Sequence, residues 1–225
     1  MEILDNIPVK IDNKAAQRKL QLKRKEDLNS FQQIADSIQP FLKPKAVYSV
    51  CYIEKKFDDR IMINGFSFRS KVLRKNLDQV ERIFAYTLTL GKEFDDKITS
   101  CNDLLEKIYL DTIGNETLRS ARRHLKKHLQ SKYAIEGMSF MNPGSLADWP
   151  IEEQKPLFRL IGDVEVAIGV KLTKNYLMIP TKSVSGIYFP TEITFYSCQL
   201  CPRKACDGRN APYDERKAKE YGTLK

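Results

Sequence analysis

The chain has 225 residues, of which 42% are apolar and 30% charged, with a net charge of +9. That balance excludes intrinsic disorder, and the length allows a hydrophobic core that needs no staples. No apolar run reaches the roughly 20 residues of a membrane helix, and five cysteines, an odd count, exclude a complete disulfide framework.

Residues 1–10 have no apolar leader core, which predicts a cytoplasmic protein. Residues 7–11 predict a short strand, and Asp12 or Asn13 caps a helix running to about Leu22. Leu28, Phe31, Ile34, Ala35, Ile38, Phe41 and Leu42 recur at helical spacing up to a stop at Pro44. Residues 46–53 are β-branched and aromatic, and Phe57-Asp58-Asp59 turns the chain into 61–63, a hairpin. Residues 80–90 predict a strand closed by Gly91. A long helix follows, with an apolar stripe of Leu104, Leu105, Ile108, Leu118, Ala121, Leu125 and Leu129 and a break allowed at Gly114. Arg119, Arg122, Arg123, Lys126 and Lys127 form its opposite face. Such a face can grip phosphates but is more often solvated. His124 and His128 stand at a spacing zinc can use; without an accompanying carboxylate motif they read as surface histidines.

Residues 133–140 predict a strand, 142–145 a loop, and Asp148-Trp149-Pro150 the lead into a helix from about Ile151. Pro150 suits the first turn, and Glu152 and Glu153 suit the positive helix end. Strands are expected at 170–173, 176–179, 183–189 and 194–197. The alternation of helices and hairpins predicts an α+β fold: a single domain over 1–225 with a twisted, mostly antiparallel sheet and flanking helices. Within it we expect an N-terminal lobe over about 1–100, a signature region over 137–197 and a cysteine tail over 198–225. There is no Gly-rich phosphate fingerprint, nucleophile elbow or paired-histidine protease motif. Two histidines on one helix leave no Ser-His-Asp machine, and no catalytic side chain is assigned.

Cys51 and Cys101 stand alone in apolar contexts and read as buried, inert thiols. The tail pattern is Cys198-x-x-Cys201-x-x-x-x-Cys206. In a reducing compartment such spacing points to metal ligation or redox work rather than a structural disulfide. Zinc and iron–sulfur sites usually want four ligands; the candidates for the fourth are Cys51, Cys101 and Asp207, or the site stays open. Redox-labile free thiols are the alternative. Pro202, Arg203 and Lys204 place the three on an electropositive loop.

Three blocks, in order, resemble the activation domain of cobalamin-dependent methionine synthase. They are Met141-Asn142-Pro143-Gly144 followed by Asp148-Trp149-Pro150 and Gln154; then Gly169-Val170-Lys171-Leu172-Thr173 with Met178-Ile179-Pro180; then Ser183-Val184-Ser185-Gly186-Ile187-Tyr188-Phe189. Residues 84–91 and Tyr109-Leu110-Asp111-Thr112-Ile113-Gly114 are similar to stand-alone anaerobe relatives of that domain. The cysteine tail, followed by Arg209 and Pro212-Tyr213, is similar to a tail on those relatives.

The resemblance implies an S-adenosylmethionine site beside the cobalt of cobalamin on a partner protein, since this chain has no corrinoid-binding histidine motif. An irreversible methyl transfer pulls the uphill reduction of inactive cobalt forward, and the protein need only hold the reactants face to face. The implied cofactor contacts are Asn142, Pro143, Gly144, Ser183, Val184, Ser185, Gly186 and Tyr196, with Phe195 the near alternative to the last. An arginine that contacts the methionine carboxylate in the family corresponds here to Phe140, and the aromatic after Pro-Gly to Ser145. An Arg–carboxylate pair is bidentate and charge-assisted, and phenylalanine replaces none of it.

The leading expectation is an accessory protein for the reductive activation of a corrinoid methyltransferase subunit. The alternative is a corrinoid-protein-binding or metal-binding module that has lost donor binding; a basic nucleic-acid binder ranks below both. The net charge fits a lysine-rich solvated surface or a face that steers an acidic partner. A shared site requires the 142–150 loop to meet the 183–186 strand.

Overall fold

The computed structural model describes residues 1–206 and 208–223. The first strand, β1 (Glu2–Leu4), pairs with β2 (Lys45–Lys56), so the strand expected over 7–11 lies earlier in the chain. Pro8 has no N–H to give to a ladder, and Ile7 instead donates its N–H to the Pro44 carbonyl. The helix α1 (Asn13–Lys19) starts as expected, with the Asp12 carboxylate accepting from the Ala15 N–H at 2.9 Å. It is followed by α2 (Lys25–Ile38) and a 3-10 turn (Gln39–Phe41).

Strand β2 forms the expected hairpin with β3 (Arg60–Ile63), and β4 (Phe66–Arg69) extends it. That last strand was not read from the sequence. Its signal is Asn64-Gly65, both at positive φ (43° and 79°), the pair that two-residue hairpin turns favour. Then come α3 (Lys71–Asn76), β5 (Arg82–Thr89), α4 (Lys92–Ser100), α5 (Leu104–Lys132) and β6 (Met138–Met141). A 3-10 turn (Ile151–Glu153) leads into α6 (Gln154–Ile161) and α7 (Val164–Ile168). The small ladder of β7 (Lys171–Leu172) and β8 (Met178–Ile179), the strand β9 (Ser183–Pro190), a 3-10 turn (Ser197–Leu200) and α8 (Glu215–Glu220) complete the chain.

The main sheet has the order β4-β3-β2-β5-β9-β6, with β1 beside β2, and every pairing is antiparallel. It runs continuously across residue 100, because β5 pairs with β9 from Phe84↔Tyr188 to Thr89↔Ser183. Both faces are covered, and the alternation along β5 shows by what. Ile83 and Ala85 pack with α3, α6 and α7, whereas Phe84, Tyr86 and Leu88 pack with α5.

Gly114 does not break α5. A Cβ there would lie 2.8 Å from the Phe94 ring and 3.0 Å from the Lys182 side chain, so its absence lets α4 and the start of β9 close on the helix. The expected apolar stripe is wrong at its first turns: Leu104, Leu105 and Ile108 are exposed. The helix enters the core through Tyr109, Leu110 and Ile113, with the Tyr109 ring edge-on to Phe31 at 5.4 Å.

Strand β6 is shorter than the expected 133–140, because α5 runs on to Lys132 and Ala134, at φ 52°, turns the chain. No strand forms over 194–197. The Phe195 N–H goes to the Ser139 hydroxyl at 2.7 Å, and the chain coils into a 3-10 turn. No helix among the described residues is long and apolar enough to cross a membrane.

Candidate functional site

Strand β6 ends at Met141, and Asn142 leaves the sheet with its side chain turned back onto β9. The amide Nδ2 donates to the Ser185 carbonyl and to the Tyr86 hydroxyl, the latter at 3.1 Å. This approach depends on Gly186, where a Cβ would stand 2.3 Å from Asn142 Nδ2 and 2.5 Å from the Met141 carbonyl oxygen. Gly144, at φ 83°, lets the loop reverse, and its N–H donates to the Trp149 carbonyl at 2.7 Å. Asp148 then caps α3, accepting from the Ser70 hydroxyl and, at 2.9 Å, from the Val72 N–H. Trp149 is buried with its ring edge-on to Phe68. The 142–150 loop and the 183–186 strand therefore meet.

A cavity of about 520 Å³ opens beside this loop, walled by α5, the loop, β9 and the cysteine tail. Of the cofactor contacts expected from the sequence, Asn142, Gly144, Val184 and Tyr196 line it; Pro143, Ser183, Ser185 and Gly186 do not. For the two serines the period of two along β9 gives the reason, whereas Gly186, on the Val184 face, has no side chain and lies against the Asn142 amide. Val184 and Tyr188 face α5 and the cavity side, whereas Ser185 is buried on the other face with its Oγ 3.5 Å from Gln154 Oε1. The Ser183 hydroxyl lies 2.6 Å from the Pro180 carbonyl and 2.9 Å from Thr89 Oγ1. Both serines fasten the strand.

Helix α5 supplies what sequence reasoning gave to solvent. Asn115, Leu118, Arg119 and Arg122 stand at i, i+3, i+4 and i+7, one helical stripe, and all four line the cavity. That stripe was the available signal. Glu116, whose side chain is 8% exposed, is 2.5 Å from Lys19 Nζ and 3.5 Å from Arg119 Nη1. The Arg122 guanidinium lies over the Phe140 ring, 4.3 Å from its centroid. Phe140 ends a file of rings: it meets Tyr188 edge-on at 6.0 Å, and Tyr188 stacks on Tyr86 at 4.6 Å. The Tyr188 hydroxyl donates to the Arg122 carbonyl at 3.0 Å, so the file also pins the helix backbone. Burial pushes the Tyr86 and Tyr188 phenols above their ordinary range, so both stay neutral. The described lining residues include four cations (Lys19, Arg119, Arg122 and Arg203) and no carboxylate.

The tail reaches the same cavity. Cys198, Cys201 and Cys206 all line it, the first two half-buried and the third exposed. Arg209 organises the loop: Nη1 donates to the Cys198 and Ala211 carbonyls at 3.0 and 3.1 Å, and Nη2 to those of Cys201, at 3.1 Å, and Arg203. The Asn210 N–H donates to Cys198 Sγ at 3.3 Å. Among the described residues, however, no three His, Cys, Asp or Glu side chains are grouped to hold a metal ion.

In this arrangement hydrogen bonds from Arg209 hold the loop that carries Cys198, Cys201 and Cys206. Asp207, a candidate fourth ligand, lies outside the described residues. Cys51 is buried in the core beneath the sheet, its thiol pushed up to about 11 by burial. Cys101 is half-buried at the end of α4 rather than fully buried. His128 is tied to the Tyr48 hydroxyl at 3.3 Å.

Residues 142–209 match the family model described as vitamin B12 dependent methionine synthase, activation domain. The matched segment begins at Asn142 and ends at Arg209, so it holds the loop, β9 and the cysteine turn. Among solved structures, the fold is similar to "Crystal Structure of the MetH Reactivation Domain bound to AdoHcy", with a TM-score of 0.64 and 16% sequence identity over 88% of this chain and 81% of that one. No curated protein sequence matches. The resemblance to the activation domain thus holds in sequence over 142–209 and in fold over most of the chain.

Proposed function

We propose that this protein binds S-adenosylmethionine in the cavity beside the Asn142–Ser145 loop and serves, in the cytoplasm, as an accessory activator of a separate corrinoid methyltransferase. One observation carries the reading: the segment that matches the activation-domain family places Asn142, Gly144 and Tyr196 on the wall of one cavity. At about 520 Å³ that cavity is of the size small-molecule sites have. The similarly folded MetH domain is described as bound to AdoHcy, the demethylated form of the same donor.

The chemistry asked of this chain is positioning. Asn142 is held by the Ser185 carbonyl and the Tyr86 hydroxyl, so the loop that borders the ligand is fixed before the ligand arrives. The buried phenols are neutral and donate no charge to the reaction. The corrinoid, carried by the partner, supplies the cobalt that accepts the methyl group. The charge of +9 favours docking on an acidic partner at low salt.

The test is to titrate S-adenosylmethionine into the protein, alone and with a corrinoid protein held in its one-electron-oxidised form. Methyl–cobalt formation that needs this protein, a reductant and the donor supports the activator. A second reading, a corrinoid-protein-binding module without donor binding, is favoured by Phe140 at the position of the family arginine. Corrinoid-protein binding with no donor binding in either setting selects it. Salt-sensitive nucleic-acid binding with no response to corrinoid overturns both.

A further inference from the structure

We propose that Arg122 is the carboxylate clamp of this cavity, reaching it from α5 with Phe140 as its platform. The identity of the ligand rests on the donor reading above; the clamp itself rests on four features of the wall.

First, the two cavity arginines of α5 are in different states. Arg119 is committed to Glu116 at 3.5 Å, whereas Arg122 pairs with no carboxylate among the described residues. Second, Arg122 is half-buried, so its guanidinium is less screened by water than an exposed arginine and attracts an anion that reaches it more strongly. Third, its placement is fixed at both ends. Tyr188 holds the Arg122 carbonyl at 3.0 Å, and the Phe140 face holds the guanidinium at 4.3 Å. A guanidinium on a ring face keeps its in-plane N–H edge for a planar, bidentate partner, the geometry a carboxylate matches. Fourth, of the lining cations Lys19 and Arg119 are already paired with Glu116, which leaves the charge of Arg122 to meet the anionic end of a ligand at this wall. Phenylalanine at 140 is then the support of a displaced arginine rather than the loss of one.

The experiment compares S-adenosylmethionine with 5′-methylthioadenosine, which keeps the nucleoside and lacks the amino-acid end, by calorimetric titration of the full chain. Arg122→Ala is expected to weaken S-adenosylmethionine binding on the order of 10- to 100-fold, the range for losing a charge-assisted hydrogen-bonded pair. Binding of 5′-methylthioadenosine should change less than about 2-fold, which also shows that the variant is folded. Arg122→Lys should fall between, since an ammonium keeps the charge and loses the fork. Arg123→Ala removes the same charge from the exposed side of the helix and should change either affinity less than about 2-fold.

Equal weakening of both ligands by Arg122→Ala assigns the residue a structural role and overturns the clamp. Unchanged S-adenosylmethionine binding by Arg122→Ala overturns the clamp and leaves the donor reading standing. A wild-type protein that binds neither ligand overturns both.

Discussion

Asn142 and Gly186 share one contact that excludes a side chain at the glycine: a methyl there would stand 2.3 Å from the Asn142 amide nitrogen and 2.5 Å from the Met141 carbonyl oxygen. The second distance is to backbone, which has no rotamer to give. Gly186→Ala should therefore push β6 off β9 and cost about 1–3 kcal/mol, the usual range for overpacking a close-packed site. Urea unfolding measures it as a lowered midpoint with an unchanged slope. In Asn142→Ala/Gly186→Ala the amide clash is gone and the carbonyl clash remains, so the double variant should recover only part of the loss. Full recovery would show that the side chain, not the backbone, sets the requirement.

The parts of the fold that were legible share a local cause. Asp12 caps α1 through its own carboxylate, and β5 reads as a strand because its alternating residues are buried on both faces. Neither signal depends on distant partners. Those that differed have two causes. On α5 the cause is phase. On a helical wheel Leu105 and Ile108 lie about 160° and 100° from Leu125, away from the face that Leu110, Ile113, Ala121 and Leu125 bury, so the expected stripe joined two faces. At the site the cause is tertiary. Resemblance assigned Ser183 and Ser185 to the ligand, while the period of two along β9 carries Ser185 to the opposite face from Val184. Arg119 and Arg122 were set apart as a solvated face because nothing local says that β6, β9 and the tail close around them.

Asp148 links the signature loop to α3 by accepting from the Ser70 hydroxyl and the Val72 N–H, and Ser70 in turn accepts from the Leu73 N–H at 2.8 Å. Asp148→Ala removes an acceptor from the start of that helix and leaves buried donors unpaired. The expected loss is about 1–2 kcal/mol, with Asp148→Asn losing less because an amide oxygen still accepts. Thermal or urea unfolding checks the order. Equal losses for the two variants would mean that the charge at the helix N-terminus, not the hydrogen bond, carries the effect.

The five thiols should separate by reactivity. At pH 8 Cys51 stays protonated, because burial raises its thiol to about 11 and a thiol below its own pKa is a poor nucleophile. Timed alkylation read by mass spectrometry should label Cys206 first, then the half-buried Cys198, Cys201 and Cys101, and Cys51 only on unfolding. Removing Arg209, whose guanidinium holds four carbonyls of the tail, should erase the lag between Cys198 and Cys206 by freeing the loop. Anaerobic purification tests the metal directly. Iron or zinc recovered with all three tail thiols protected would mean that the loop rearranges to make the ligand set this arrangement lacks.

Glu2 joins the first strand to the end of α5, and it gives the fold an acid-sensitive seam. Its carboxylate is held below the ordinary glutamate range chiefly by the hydrogen bond from Lys132, against a smaller opposing effect of burial and with further help from the Tyr48 and Tyr133 hydroxyls. A carboxyl whose folded pKa is depressed contributes stability above its unfolded pKa, and that contribution disappears as pH falls through the folded value. The side chain is 44% exposed, so solvent screening limits the effect to about 0.5–1 kcal/mol. Glu2→Gln should be less stable than the wild type by that amount at pH 7, and the difference should close as the pH is lowered past the ordinary glutamate range towards 3. Urea midpoints for the two proteins at a series of pH values measure it. A gap that persists undiminished at the acid end would assign the contribution of Glu2 to packing against β2 rather than to its charge.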